Sequence, residues 1–366
     1  MKTIARVAGA GLAAAAVAAF AAVPASAATA HQSAPVFVQT DDPSGNAIVA
    51  YHRAADGTLT QSGVYPTGGL GGVVAGSVVD HLTSQGSLAF DRRAGLLYAV
   101  NAGSDTITVF AVRGDRLERT QVISTGGDFP NSITVRGGTV YVLNGLGGGS
   151  IQGFSRVGNR LVRVPAWKRA LGATEDGGIP AEVAFTPDGS KLVVTARGNG
   201  IDVFRVGALG PAAKPVVYTK TGSSPFGFTF DARGHLVVTQ AGTNSVATFG
   251  IARDGKLNPI DEAATGQAGT CWVVRNGDFV YASNTGSGTL SGYRLDGSGS
   301  LTDRGRTATD AGTVDAAASS DGRDVYVQTG QKGVVDEFRA NADGSLTRIG
   351  SVTVPGAVGG EGIAAG

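Results

Sequence analysis

Seven times in this chain an aromatic residue closes a short apolar run, at Tyr51, Phe110, Phe154, Phe204, Phe249, Tyr293 and Phe338, with successive spacings of 59, 44, 50, 45, 44 and 45 residues. Upstream of each aromatic lies a second run ending in a polar residue: "VFVQT", "LLYAVN", "TVYVLN", "KLVVT", "HLVVTQ", "FVYASN" and "DVYVQT". In six of the seven, a further strand and turn come before that run: "LAFDRRAG", "ITVRGG", "VAFTPDG", "FTFDARG", "VVRNG" and "AAASSDG". Each run is short, rich in β-branched or aromatic residues and bounded by Gly, Asn, Asp or Ser, the pattern of strands joined by tight turns. No 3.6-residue periodicity is sustained beyond residue 27, so helical repeats are excluded. A unit of about 45 residues holding a four-stranded antiparallel meander is a propeller blade.

The first repeat, starting at "APVFVQT", lacks a strand ahead of it, and the last residues, "GEGIAAG", resemble a first strand with no partners after it. Joining them completes a seventh blade and leaves no open sheet edge at the ring's seam. The expected fold is therefore all-β: a seven-bladed β-propeller of four-stranded antiparallel blades, closed by pairing of the N- and C-terminal strands. It is expected as one domain over residues 34–366, preceded by a flexible stretch at 28–33 and carrying a flexible glycine-rich insertion at 66–85, which accounts for the spacing of 59.

Residues 1–27 carry Lys2 and Arg6, an alanine-rich apolar run from Val7 to Val23 and the small-x-small sequence Ala25-Ser26-Ala27, the features of a cleavable secretory leader. Without Lys2 and Arg6 the 30 basic residues fall to 28 against 29 acidic ones, a net charge of −1. That balance argues against nucleic acid and anionic membranes as partners, and no later segment is apolar enough to span a membrane. A single cysteine, Cys271, precludes an internal disulfide. The expected product is a secreted protein without disulfides.

The runs "GSLAFDRRAGLLYAVNAGSDTITVF", "PAEVAFTPDGSKLVVTARGNGIDVF" and "PFGFTFDARGHLVVTQAGTNSVATF" resemble the seven-bladed propellers of the bacterial lactonase family, which includes 6-phosphogluconolactonase. The phrases "QGSLAF", "PFGFTFD" and "TCWVV" are similar to a secreted branch of it, and the resemblance covers nearly the whole chain after the leader. It implies a lactone or sugar-derived ligand and hydrolysis of a lactone or related cyclic ester. Intracellular members show a proline-arginine-histidine triplet at the start of one blade; the aligned residues here are Pro130-Asn131-Ser132. The next blade keeps the family's glutamate, as Glu182, and the arginine of its asparagine-arginine-glycine turn, as Arg197. Without the imidazole and the first arginine, a phosphorylated sugar lactone is not the expected substrate.

Glu182 opens the first strand of blade 4 and Arg197 follows its second, with "TPDG" as the turn between, so antiparallel pairing brings them to one end of the sheet beside the channel. A carboxylate there can activate water, and a guanidinium can stabilise the oxyanion formed at a lactone carbonyl. The same pair can equally be a rim ion pair. Aligned with Glu182 in the other blades are Ser87, Ser132, Gly227, Cys271, Asp315 and, at the closing strand, Glu361 or its neighbour. Asp315, Glu361, Ser132 and Asn131 are thus candidate ligand contacts, with Asp315 and Glu361 expected to share a site more readily than either does with Glu182. The polar residues ending the second strands, Thr40, Asn101, Asn144, Thr195, Gln240, Asn284 and Thr329, are expected to bond the following turns. His31, His52, His81 and His235 form no metal motif, and no cofactor signature or calcium-loop spacing is present. Two functions stay open: a lactone hydrolase, or a non-catalytic propeller presenting its channel mouth to a small ligand, glycan or protein.

Overall fold

The computed structural model describes residues 1–3, 5, 34–172, 178–196, 198 and 200–366. Two units separate, Met1–Gln32 and Ser33–Gly366. In the first, the described residues are exposed and outside any strand; the expected leader otherwise lies outside the described residues.

Ser33–Gly366 forms seven antiparallel sheets, each running from a first strand at the centre to an outer fourth strand. Blade 1 joins the chain's ends as expected: Ile363–Ala365 pairs with Val36–Gln39, with Val36 opposite Ala365 and Val38 opposite Ile363. Blades 2 to 7 follow in order, with first strands Leu88–Asp91, Pro130–Arg136, Glu182–Phe185, Pro225–Phe230, Thr270–Asn276 and Thr313–Ala318.

The second strands, such as Leu96–Asn101 and Asp324–Thr329, are buried along their whole length, because neighbouring blades cover both of their faces. Outer strands such as Leu257–Ala264 alternate between covered and exposed positions, since one face meets water. The apolar side chains divide into a cluster at each blade–blade contact. Phe37 and Ile48 pack with Leu97 and Phe110 between blades 1 and 2, and Val193 and Val203 pack with Phe228 and Leu236 between blades 4 and 5.

The aromatic residue that marks each repeat has a definite place. In blades 1, 2, 5, 6 and 7 the register between third and outer strands shifts beside Tyr51, Phe110, Phe249, Tyr293 and Phe338. A bulge there sharpens the strand's twist while the ring stays in the blade–blade core. Blades 3 and 4, which carry Phe154 and Phe204, instead have interrupted outer strands, with Arg160–Arg163 and Arg169–Ala170 in one and Gly210–Pro211 and Val216–Tyr218 in the other. Pro165 and Pro215 fall in these gaps, where proline withholds the N–H a continuous ladder needs.

Candidate functional site

First strands begin at the end of the channel that carries the connections between blades. Residues 66–85, expected as a flexible insertion, form one of those connections, and the structure runs their last part across the channel as a strap. Leu82, Thr83, Ser84 and Gln85 are buried. The Gln85 amide N–H donates to the Ala181 carbonyl of blade 4 at 3.0 Å. Its side-chain Nε2 donates to the carbonyls of Phe228 (3.0 Å) and Val273 (3.2 Å), and its Oε1 accepts from Val273 N–H at 2.9 Å. One glutamine thus ties blades 4, 5 and 6 to the strap. The Trp272 indole donates to the Ser84 carbonyl at 2.5 Å and stacks edge-on against Phe226 at 4.9 Å. With Ala181 and Val314 these rings make a small apolar cluster beneath the strap.

Four carboxyl groups surround this strap, and all four residues are buried: Asp41, Glu182, Asp315 and Glu361. Glu182 Oε2 accepts from Phe228 N–H at 2.6 Å, and Gln85 bonds its side chain as well. Asp315 takes backbone N–H bonds from Ala316, Gly86 and Ile363. Glu361 Oε1 accepts from Ser84 N–H at 2.9 Å, its own N–H donates to Asp41 Oδ2 at 2.8 Å, and its Oε2 is buried without a hydrogen-bond partner. Among the described residues none of the four belongs to an ion pair.

Burial without a cation favours the uncharged form. Desolvation pushes Asp41 and Asp315 up to about 7, against the bonds that each accepts. It holds Glu182 well above the usual carboxylate range, with the field of Asp315 adding to the effect. Glu361 is raised likewise, first by burial and then by the fields of Asp80 and Asp41. The field of Asp315 also reaches Asp41 and Glu361, so Asp315 is the shared neighbour of the set and its link to Glu182 is as real as its link to Glu361. No group of three or more His, Cys, Asp or Glu among the described residues is arranged to hold a metal ion.

Glu182 opens its strand opposite Thr195, the last residue of the second, as the antiparallel argument requires. Arg197, two positions further on, lies outside the described residues. Asn131 and Ser132 act as links between blades: Asn131 Nδ2 donates to the Pro180 carbonyl at 2.8 Å, and Ser132 Oγ accepts from Val183 N–H at 3.2 Å. The Asn131 carbonyl also receives the Ser84 hydroxyl at 2.7 Å, so both residues support the strap's floor. The polar strand ends are likewise structural, although the asparagines bond hydroxyls on the next strand rather than the turn backbone: Asn101 to Thr106 and Thr108, Asn284 to Thr289 and Ser291. His81 is half-buried on the strap's approach, where burial pulls its imidazole below the ordinary value.

Two members of this constellation are absent from the sequence-based candidates. Asp41 follows a second strand at a register where blades 2 to 7 have Ala102, Gly145, Ala196, Ala241, Thr285 and Gly330, so the signal was an acid among small residues. Gln85 stands where blades 3, 4 and 5 have Pro130, Pro180 and Pro225, a long amide in place of proline.

A family model described as a lactonase, 7-bladed beta-propeller, matches residues 159–274, which include Glu182. Solved structures share the fold. A Pseudomonas aeruginosa periplasmic gluconolactonase is 21% identical with a TM-score of 0.71, covering 90% of this chain and 98% of that one. A proposed 6-phosphogluconolactonase from Bacteroides fragilis is 20% identical with a TM-score of 0.71 and the same coverage of 90% and 98%. A Lactobacillus plantarum protein is 19% identical with a TM-score of 0.73, over 89% of this chain and 98% of that one. No match is found among curated proteins. The class defined by the fold is the seven-bladed β-propeller. Within that class, residues 159–274 match the lactonase propeller family.

Proposed function

We propose that this propeller hydrolyses a sugar-derived lactone or related cyclic ester at the strapped end of its channel. The observation that carries this reading is the set of four buried carboxyl groups at the ring's centre with no cation among the described residues. Titratable groups pushed from their ordinary values by burial and by one another, gathered in one place, mark a candidate functional site. Environments that separate two carboxyls also divide their roles. Glu182, whose burial favours the protonated form, suits the general acid rather than the base expected from sequence, and Asp315, near 7, suits the base. In that scheme Asp315 takes a proton from water as the water oxygen attacks the lactone carbonyl. Arg197 is assigned the oxyanion. Collapse of the tetrahedral species breaks the acyl C–O bond, Glu182 protonates the departing ring oxygen, and a hydroxy acid leaves.

A second reading, a non-catalytic propeller binding a small ligand, glycan or protein, draws on one observation: the strap occupies the channel that a substrate would enter. An assay of acid release from several lactones, including an unphosphorylated sugar lactone, separates the two. The hydrolase reading expects Glu182→Gln and Arg197→Ala each to lower turnover by roughly 10² while folding is retained. Wild type with no turnover above background on the whole panel moves the assignment to the second reading.

The protein is also proposed to act outside the cytoplasm, on the strength of the leader features in residues 1–27. Among the described residues no helix is long and apolar enough to cross a membrane. N-terminal sequencing of the exported protein should begin at Ala28; an uncleaved Met1 would refute the leader.

A further inference from the structure

At the other end of the channel, the turns between first and second strands surround a cavity of about 880 Å³. Its wall comes from blades 2, 5, 6 and 7, elements from opposite sides of the ring that converge only near the axis. Three arginines line it: Arg92 from blade 2, Arg275 from blade 6 and Arg323 from blade 7. Each is tethered by backbone carbonyls. Arg92 bonds Ala365, Arg275 Nε bonds Gly277 at 2.7 Å, and Arg323 bonds Ala55 at 3.4 Å.

None of the three belongs to an ion pair among the described residues. A guanidinium has five N–H donors, so these tethers leave most of them for something else. Of the two carboxylates on the wall, Asp321 is engaged by Arg53 at 3.0 Å, and Asp278 is outside any ion pair among the described residues. The wall therefore keeps a net positive charge.

We infer that this cavity binds a sugar-sized polyhydroxylated anion, a sugar acid or sugar phosphate. The arginines take the anionic oxygens, Asp278 and Ser320 take hydroxyls, and Phe279 faces the carbon skeleton. The volume lies within the range of about 300–1,000 Å³ typical of small-molecule sites. Guanidinium forks match carboxylate and phosphate oxygens two at a time. An apolar ligand would strip water from three cations and give nothing back. A duplex nucleic acid needs a broad basic face, and the whole chain's formal charge is only +1.

Calorimetric titration of the full chain with gluconate, 6-phosphogluconate, inorganic phosphate and glucose tests this. Saturable one-to-one binding of at least one sugar anion is expected, weakening as salt is raised. Arg275→Gln and Arg323→Gln should each weaken it by about tenfold, the weight of a charged hydrogen bond. Which sugar anion binds more tightly tells a carboxylate site from a phosphate site. The salt dependence of wild-type binding tests the cationic wall without any substitution, should a variant fold poorly. The assignment is overturned by no saturable binding of either sugar anion, by glucose binding as tightly, by inorganic phosphate binding as tightly, or by undiminished affinity in both folded variants.

Discussion

A buried carboxyl group enclosed by hydrogen-bond donors, with no cation beside it among the described residues, is most stable with its proton on, and that fact shapes how this molecule responds to pH. Asp41 and Asp315 titrate near 7 in the folded chain, with burial as the main cause, while the same side chains in an unfolded chain titrate near 3.9. Between those values the native state holds protons that the unfolded state has lost, so stability falls as pH rises. The loss begins near pH 4 and for these two groups is complete above about 7; Glu182 and Glu361, also raised by burial, add to it. Urea midpoints are therefore expected to be lower at about pH 8 than at about pH 5, and Asp41→Asn with Asp315→Asn should flatten the difference. An unchanged or rising midpoint would show that these groups are ionised in the fold. At this scale the sequence was half legible. Glu182, Asp315 and Glu361 stood out as acids at a register otherwise filled by small residues or cysteine. Asp41 and Gln85 did not, because each lies outside that register and gains its meaning from contacts more than 40 residues away in sequence, such as Gln85 with Phe228 and Val273.

The strap shows how a composition can be read in two ways. Glycines in residues 66–85 suggest backbone freedom, yet a Cβ at Gly71 would stand 2.1 Å from the Asp41 backbone, so that glycine serves close packing. Gln85→Ala removes the side chain's bonds to Phe228 and Val273 and leaves their buried backbone groups unsatisfied. A loss of about 1–3 kcal/mol per group is expected in chemical denaturation; a loss under about 0.5 kcal/mol would mean that the strap rests on the ring without bracing it. The closing strand, by contrast, was legible from sequence alone, since a blade short of its first strand and a strand short of a blade can only be completed by each other. Deleting residues 357–366 strips blade 1 of Ile363–Ala365 and unpairs Val36–Gln39. Melting of the truncated protein at the temperature of the full chain would contradict that pairing.

At the scale of the whole molecule, the ring depends on the contact between blade 1 and blade 7, where the two ends of the chain meet. Arg53 of blade 1 reaches Asp324 of blade 7, its Nε donating to Oδ2 at 2.8 Å, and Arg339 Nε lies 2.8 Å from the other oxygen. The Asp324 side chain is fully buried, and beside it Tyr326 donates to the Gly57 carbonyl at 2.8 Å and Leu59 N–H donates to Glu337 at 3.0 Å. Asp324→Ala leaves Arg53 buried without its main counter-charge and should cost about 3–5 kcal/mol; a change within about 0.5 kcal/mol would show that other contacts hold the seam. Blade number and closure could be read from the repeat, whereas this seam could not, because Arg53 and Asp324 occupy ordinary strand positions in their own repeats. The central functional claim is that carboxyls sharing the strapped end divide acid and base work on a lactone, and the pH profile of wild-type kcat/KM on an unphosphorylated sugar lactone tests it most directly. The rate should rise as Asp315 ionises near pH 7 and fall where Glu182 loses its proton; turnover that is absent, or that does not change with pH, would contradict the claim.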